Sequence, residues 1–182
     1  MDHLDSLIER NQAFAAQGFS ADLKIIPSKK TFIIGCVDPR VDPATIFKLE
    51  PGEAVVIRNV GGRVDPALLE TMALLRTVAK AAGNELGLGW NLILLHHNDC
   101  GIIGCYRHAP DLLSRHLGVT RAELEDMAIS NPDRAVAVDI AALKANPQMT
   151  EGFMISGLVY DVHTGRVRTV VPAELLRPKT AR

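Results

Sequence analysis

Four apolar runs constrain this chain more than any other feature, at residues 31–36, 54–57, 92–97 and 152–160. Each is largely unbroken rather than alternating apolar with polar. Unbroken runs of this length belong to strands covered on both faces, and such strands build parallel sheets flanked by helices. A further run at 166–171 comes after His163-Thr164-Gly165, and its glycine suits the tight reversal of a hairpin.

The segments between the runs carry helix signals. Asp42-Pro43, Asp65-Pro66 and Asn131-Pro132 each set an N-cap residue before a proline at the first helical position. Thr120 and Glu123 have capping-box spacing. After Asp65, the recurrence of Leu68, Leu69, Met72, Leu75 and Val78 predicts a helix with one face packed on the sheet. Residues 1–17 predict another helix, carrying Leu4, Leu7 and Ile8. Residues 82–90 hold three glycines and predict a loop, not a domain boundary. Strands alternating with helices give one α/β domain over 1–182, with a mainly parallel β-sheet flanked by helices.

Charge and composition exclude several functions. The formal net charge is -1, from 20 Lys and Arg against 21 Asp and Glu, so no basic excess draws nucleic acid or an anionic membrane. Aromatic residues make up 4%, too few for base-stacking platforms. No stretch is long and apolar enough to span a bilayer, and the N-terminus lacks the basic and apolar regions of a signal peptide. The expected location is the cytoplasm. In that reducing compartment 3 cysteines, an odd number, favour metal binding or catalysis over a disulfide framework.

Two motifs place those cysteines at strand ends. Cys36-Val37-Asp38-Pro39-Arg40 closes the first run, and His97-Asn98-Asp99-Cys100-Gly101 closes the third. In open parallel sheets, sites form beyond the carboxyl ends of strands. Two thiolates and an imidazole suit zinc, and a Cys2His set leaves one tetrahedral position open, as catalytic sites do. Asp38 competes for that position. Arg40 can hold the Asp38 carboxylate by a bidentate pair and leave room for water. Water on zinc loses its proton near neutral pH, which gives a nucleophile for a small electrophile.

These motifs, in this order, resemble the β-class carbonic anhydrases. The stretch from Val56 to Arg63 and the ending from Gly157 to Gly165 are similar to that family too, so the resemblance runs from about residue 30 to about residue 171. It implies reversible hydration of carbon dioxide to bicarbonate and a proton by a zinc-bound hydroxide. It implies Cys36, His97 and Cys100 as zinc ligands, with Asp38 and Arg40 as the catalytic dyad. It also implies a homodimer or tetramer, with an N-terminal helical arm at about residues 1–20 across the dimer interface. Pro39 stands where the family usually has a small residue; proline fixes φ and removes one N–H.

Other residues carry blander expectations. Cys105 reads as a small hydrophobe and His96 as a hydrogen-bonded core residue. His3, His108, His116 and His163 read as surface groups. Gly61 and Gly62 lack phosphate-loop spacing and suggest close backbone packing, and Arg58 suggests a donor to loop carbonyls. Asp99 can orient His97, relay a proton or cap its loop. Two further functions share the motifs. One is hydrolysis of carbonyl sulfide or carbon disulfide at the same type of zinc site. The other is a non-catalytic zinc-stabilised binding protein with Asp38 as fourth ligand.

Overall fold

A computed structural model describes residues 2–177. The chain begins with α1 (His3–Gln17), then β1 (Thr31–Cys36), α2 (Pro43–Phe47) and β2 (Ala54–Asn59). A single 3-10 turn, Val60–Gly62, leads into α3 (Pro66–Ala81) and β3 (Asn91–His97). Then come α4 (Ile102–His108), α5 (Pro110–Leu117), α6 (Pro132–Ala145) and the hairpin of β4 (Met154–Asp161) with β5 (Arg166–Leu175). Met1, where the expected first helix starts, lies outside the described residues.

The five strands form one mixed sheet in the order β2-β1-β3-β4-β5. β1 runs parallel to β2 and β3, β3 runs parallel to β4, and β5 closes the sheet antiparallel to β4. This is the expected α/β sheet flanked by helices, with the expected terminal hairpin. From β1 the chain steps outward to β2 and then crosses back to β3 on the other side. The strand order therefore reverses between β1 and β3, and the carboxyl ends of both strands border that crevice.

The three Asx-Pro signals start helices as read. Asp42 accepts from the Thr45 N–H, Asp65 from the Leu68 N–H at 2.6 Å, and Asn131 from the Arg134 N–H. Thr120 and Glu123 do exchange their capping hydrogen bonds, but the element they start is the 3-10 turn Ala122–Leu124 and not an α-helix. In α3, Leu68 and Met72 are buried and Leu69 and Leu75 pack partly against the core, whereas Val78 is exposed. Ala79, one position on, takes the core-facing place.

The main core joins Phe32 and Ile34 of β1, Leu92 and Leu94 of β3 and Ile155 of β4 to Val136, Ile140 and Leu143 of α6. Fully burying each such side chain contributes roughly 1.5–3 kcal/mol. A second cluster (Ile102, Leu113, Leu117, Leu124 and Ile129) fixes α4 and α5 just beyond the end of β3. Coverage is not uniform. β2 is an edge strand and all its residues are only half-buried, while β4 alternates, with Ile155, Gly157 and Val159 buried on the face that α6 covers.

Candidate metal centre

β1 ends on Cys36 and β3 ends on His97, both buried. Asp99 then adopts a left-handed backbone, φ 51°, which folds the chain back within one turn. Aspartate tolerates that conformation better than most residues. The turn brings Cys100, three residues after His97, to the same point. One ligand atom from each of Cys36, His97 and Cys100 lies within 4.8 Å of the others, and the two sulfurs are 3.8 Å apart.

The donor set fits a zinc ion. His97 Nδ1 lies 2.8 Å from the Asn98 carbonyl oxygen, which can only accept, so Nδ1 carries the proton. That leaves Nε2 with a free lone pair. Nε2 is buried and has no hydrogen-bond partner among the described residues. Such an atom is expensive unless something binds it. The thiols are poised unequally. The Cys100 side chain lowers the Cys36 pKa to about 4, helped by His97 and by the Asp38 and Gly61 amides, against burial. Cys100 is raised, first by sharing its proton with Cys36 and then by burial. A cation would take up both sulfurs as thiolates.

Asp38 and Arg40 face each other at the rim. Asp38 Oδ1 accepts from the Arg40 N–H at 2.9 Å and from Nε at 3.0 Å, and Oδ2 accepts from Nη2 at 2.7 Å. Arg40 holds the Asp38 pKa down at about 2, and the Asp38 and Asp99 carboxylates raise that of Arg40. Pro39 leaves this pair intact, because the amide that Asp38 uses belongs to Arg40. Asp99 completes the arrangement, which spacing alone did not reveal. Its carboxylate and its carbonyl each accept from Arg40 at 2.9 Å.

The surroundings match most of the other expectations. Arg58 donates to the carbonyls of Cys36 and Asp38, at 2.8 and 2.7 Å. Gly62 backs onto β1 so closely that a Cβ would come within 3.0 Å of the Cys36 nitrogen. Cys105 packs half-buried against the second cluster. His3, His108 and His163 are exposed. His116 is also at the surface but reaches the buried Asp65 carboxylate at 3.4 Å. His96 is buried as expected, but its partners include Asp139, a residue no motif singled out.

Comparison with known proteins agrees with this geometry. A family model described as carbonic anhydrase matches residues 31–167. The chain is 31% identical to β-carbonic anhydrase 1 of Mycobacterium tuberculosis, over 89% of this chain and 94% of that protein. It is 22% identical to a carbon disulfide hydrolase of Acidianus, over 100% of this chain and 94% of that one. Among solved structures, a carbonic anhydrase from Streptococcus mutans superposes with a TM-score of 0.71 at 32% identity, covering 93% of this chain and 98% of the other. A match across three quarters of the sequence, with a relative above 30% identity along nearly its whole length, leads to one assignment: the chain belongs to the β-carbonic anhydrase family.

Proposed function

We propose that this protein is a zinc enzyme that hydrates carbon dioxide reversibly to bicarbonate and a proton, with Cys36, His97 and Cys100 as metal ligands and Asp38 and Arg40 as the catalytic dyad. The observation that carries the reading is the buried, unpartnered Nε2 of His97 facing two cysteine sulfurs beside a carboxylate already held by arginine. When bound, zinc supplies the Lewis acidity that brings the pKa of water near neutrality.

The chain's own groups do the rest. The Asn98 carbonyl fixes the His97 tautomer so that Nε2 offers its lone pair inward. Asp38 stays a carboxylate at every physiological pH and accepts the hydrogen bond of the attacking water, which orients that oxygen's lone pair toward the carbon. Arg40 keeps the Asp38 carboxylate from swinging onto the metal, and Asp99 keeps Arg40 in place. Both Asp38 oxygens already accept from Arg40, which argues against a closed, non-catalytic zinc site with Asp38 as fourth ligand.

The full-length likeness to a carbon disulfide hydrolase supports a second reading, attack on carbonyl sulfide or carbon disulfide. Its lower identity places it second. Side-by-side kinetics of the zinc-loaded protein on carbon dioxide and on carbonyl sulfide and carbon disulfide distinguish the two. Carbon dioxide is expected to be turned over fastest; the reverse order would move the assignment to the sulfur substrates.

The assembly belongs to the same proposal: residues 1–182 as a single catalytic domain, paired as a homodimer or tetramer through the arm at 1–20. Among the described residues no side chain of α1 is buried, and Leu4, Leu7, Ile8 and Phe14 are exposed. An isolated 15-residue helix is marginal in water, so a second copy covering it is the economical explanation. None of the described helices is long and apolar enough to cross a membrane. Location in the cytoplasm is part of the same proposal.

A further inference from the structure

The reaction makes no use of the most deeply buried charges in the fold. Arg63 is 1% exposed and Asp139 0%. Arg63 Nε donates to Asp139 Oδ2 at 2.8 Å and Nη2 to Oδ1 at 3.1 Å, and the Val64 N–H adds a third bond to Oδ2. A buried ion pair is seldom more stabilising than apolar side chains of the same volume. Stability alone therefore does not account for it.

A second set of contacts does. His96 Nε2 lies 3.1 Å from the Gly62 carbonyl and 3.2 Å from Asp139 Oδ2. Both are acceptors, so Nε2 carries the proton and donates to them. His96 is the β3 residue next to His97. Gly62 precedes Arg63 and lies against the Cys36 backbone with no room for a Cβ. One carboxylate on α6 thus holds both the neighbour of one metal ligand and the turn behind another.

We propose that Arg63, Asp139 and His96 are positioning residues for the metal centre, tying the Val60–Gly62 turn to β3 so that Cys36 and His97 face the ion at a fixed separation. The proposal rests on the assignment of Cys36, His97 and Cys100 as ligands. Groups one step behind metal ligands commonly change affinity by roughly 10–100-fold.

The test compares the zinc-loaded protein with the double variant Arg63→Met/Asp139→Val, which replaces both charges with apolar side chains. Two quantities are read: zinc release to a chromogenic chelator, and the visible absorption bands of the cobalt-substituted protein, which report ligand geometry. The proposal expects release at least about tenfold faster and shifted cobalt bands, with far-ultraviolet circular dichroism unchanged. A folded double variant with unchanged release and identical bands overturns it. If the double variant does not fold, His96→Leu decides, since it keeps the ion pair and loses the donor to Gly62. Faster release there, recovered at least in part by His96→Gln, supports the proposal, and equal rates overturn it. Failure of the unaltered protein to bind zinc would instead refute the ligand assignment and remove the basis of this proposal with it.

Discussion

Arg40 grips Asp99 twice, donating from Nη1 to its carboxylate and from Nη2 to its carbonyl, both at 2.9 Å. The two contacts predict a graded response. Asp99→Asn removes the charge of the exposed side-chain pair while keeping a residue that tolerates the left-handed turn, so kcat is expected to fall no more than about fivefold. Arg40→Ala removes the guanidinium and leaves Asp38 Oδ1 only the residue-40 amide; under the proposed mechanism the freed Oδ2 no longer aims the water, and the expected cost is about a hundredfold. Both variants should keep zinc, so metal analysis beside stopped-flow rates checks the prediction.

The Asp38–Arg40 pair also predicts a pH dependence of stability. Arg40 lowers the Asp38 pKa from 3.8 to about 2 in the folded protein. A depressed carboxylate stabilises the fold above its unfolded pKa, and that contribution is lost as pH falls through the folded value. The window is therefore about pH 4 down to about pH 2. The ceiling is about 2 kcal/mol, and solvent around the half-exposed Arg40 reduces it to nearer 1. Denaturant titrations of the metal-free protein should lose this increment across the window, and Arg40→Ala should lack it.

Gly62 has φ 65°, and an added Cβ would meet the Cys36 nitrogen and the Gly35 carbonyl carbon at 3.0 Å. Gly62→Ala is expected to cost about 1–2 kcal/mol for the backbone alone and more for the clash, and to weaken zinc binding by displacing Cys36. Gly83→Ala is the control. It shares the positive φ, 73°, but its Cβ would meet nothing within 4 Å, so only the backbone cost should appear. Thermal midpoints and zinc affinity of the two variants measure the difference.

The exposed stripe on α1 predicts the assembly. Leu7→Glu combined with Phe14→Glu puts charge on side chains that are 46% and 50% exposed, which a free monomer would tolerate. Light scattering after size exclusion should show the variant shifted toward a single chain. An unchanged mass would remove the arm from the interface.

The three side chains that converge were legible in the sequence because each sits where a short-range pattern stops: Cys36 at the end of one apolar run, His97 at the end of another, Cys100 one turn further. Helix starts were legible for the same reason, since a cap is a local device. The features that escaped were long-range. Arg63 and Asp139 are 76 positions apart, and nothing local marks either as buried; they meet only because α6 packs across β3 and β4. Asp99 had three roles open until the fold set it against Arg40, 59 positions away in the chain. Val78 had the right period but sits at the edge of its helix's buried stripe, where the packing angle of α3 gives the core position to Ala79.

Zinc dependence of carbon dioxide hydration is the measurement on which the proposed reaction stands or falls. Stripping the metal with a chelator should reduce stopped-flow hydration to the buffer rate, and one equivalent of zinc per chain should restore it. A zinc-loaded sample no faster than buffer, or a stripped sample as fast as the restored one, would rule out zinc-dependent hydration by this protein.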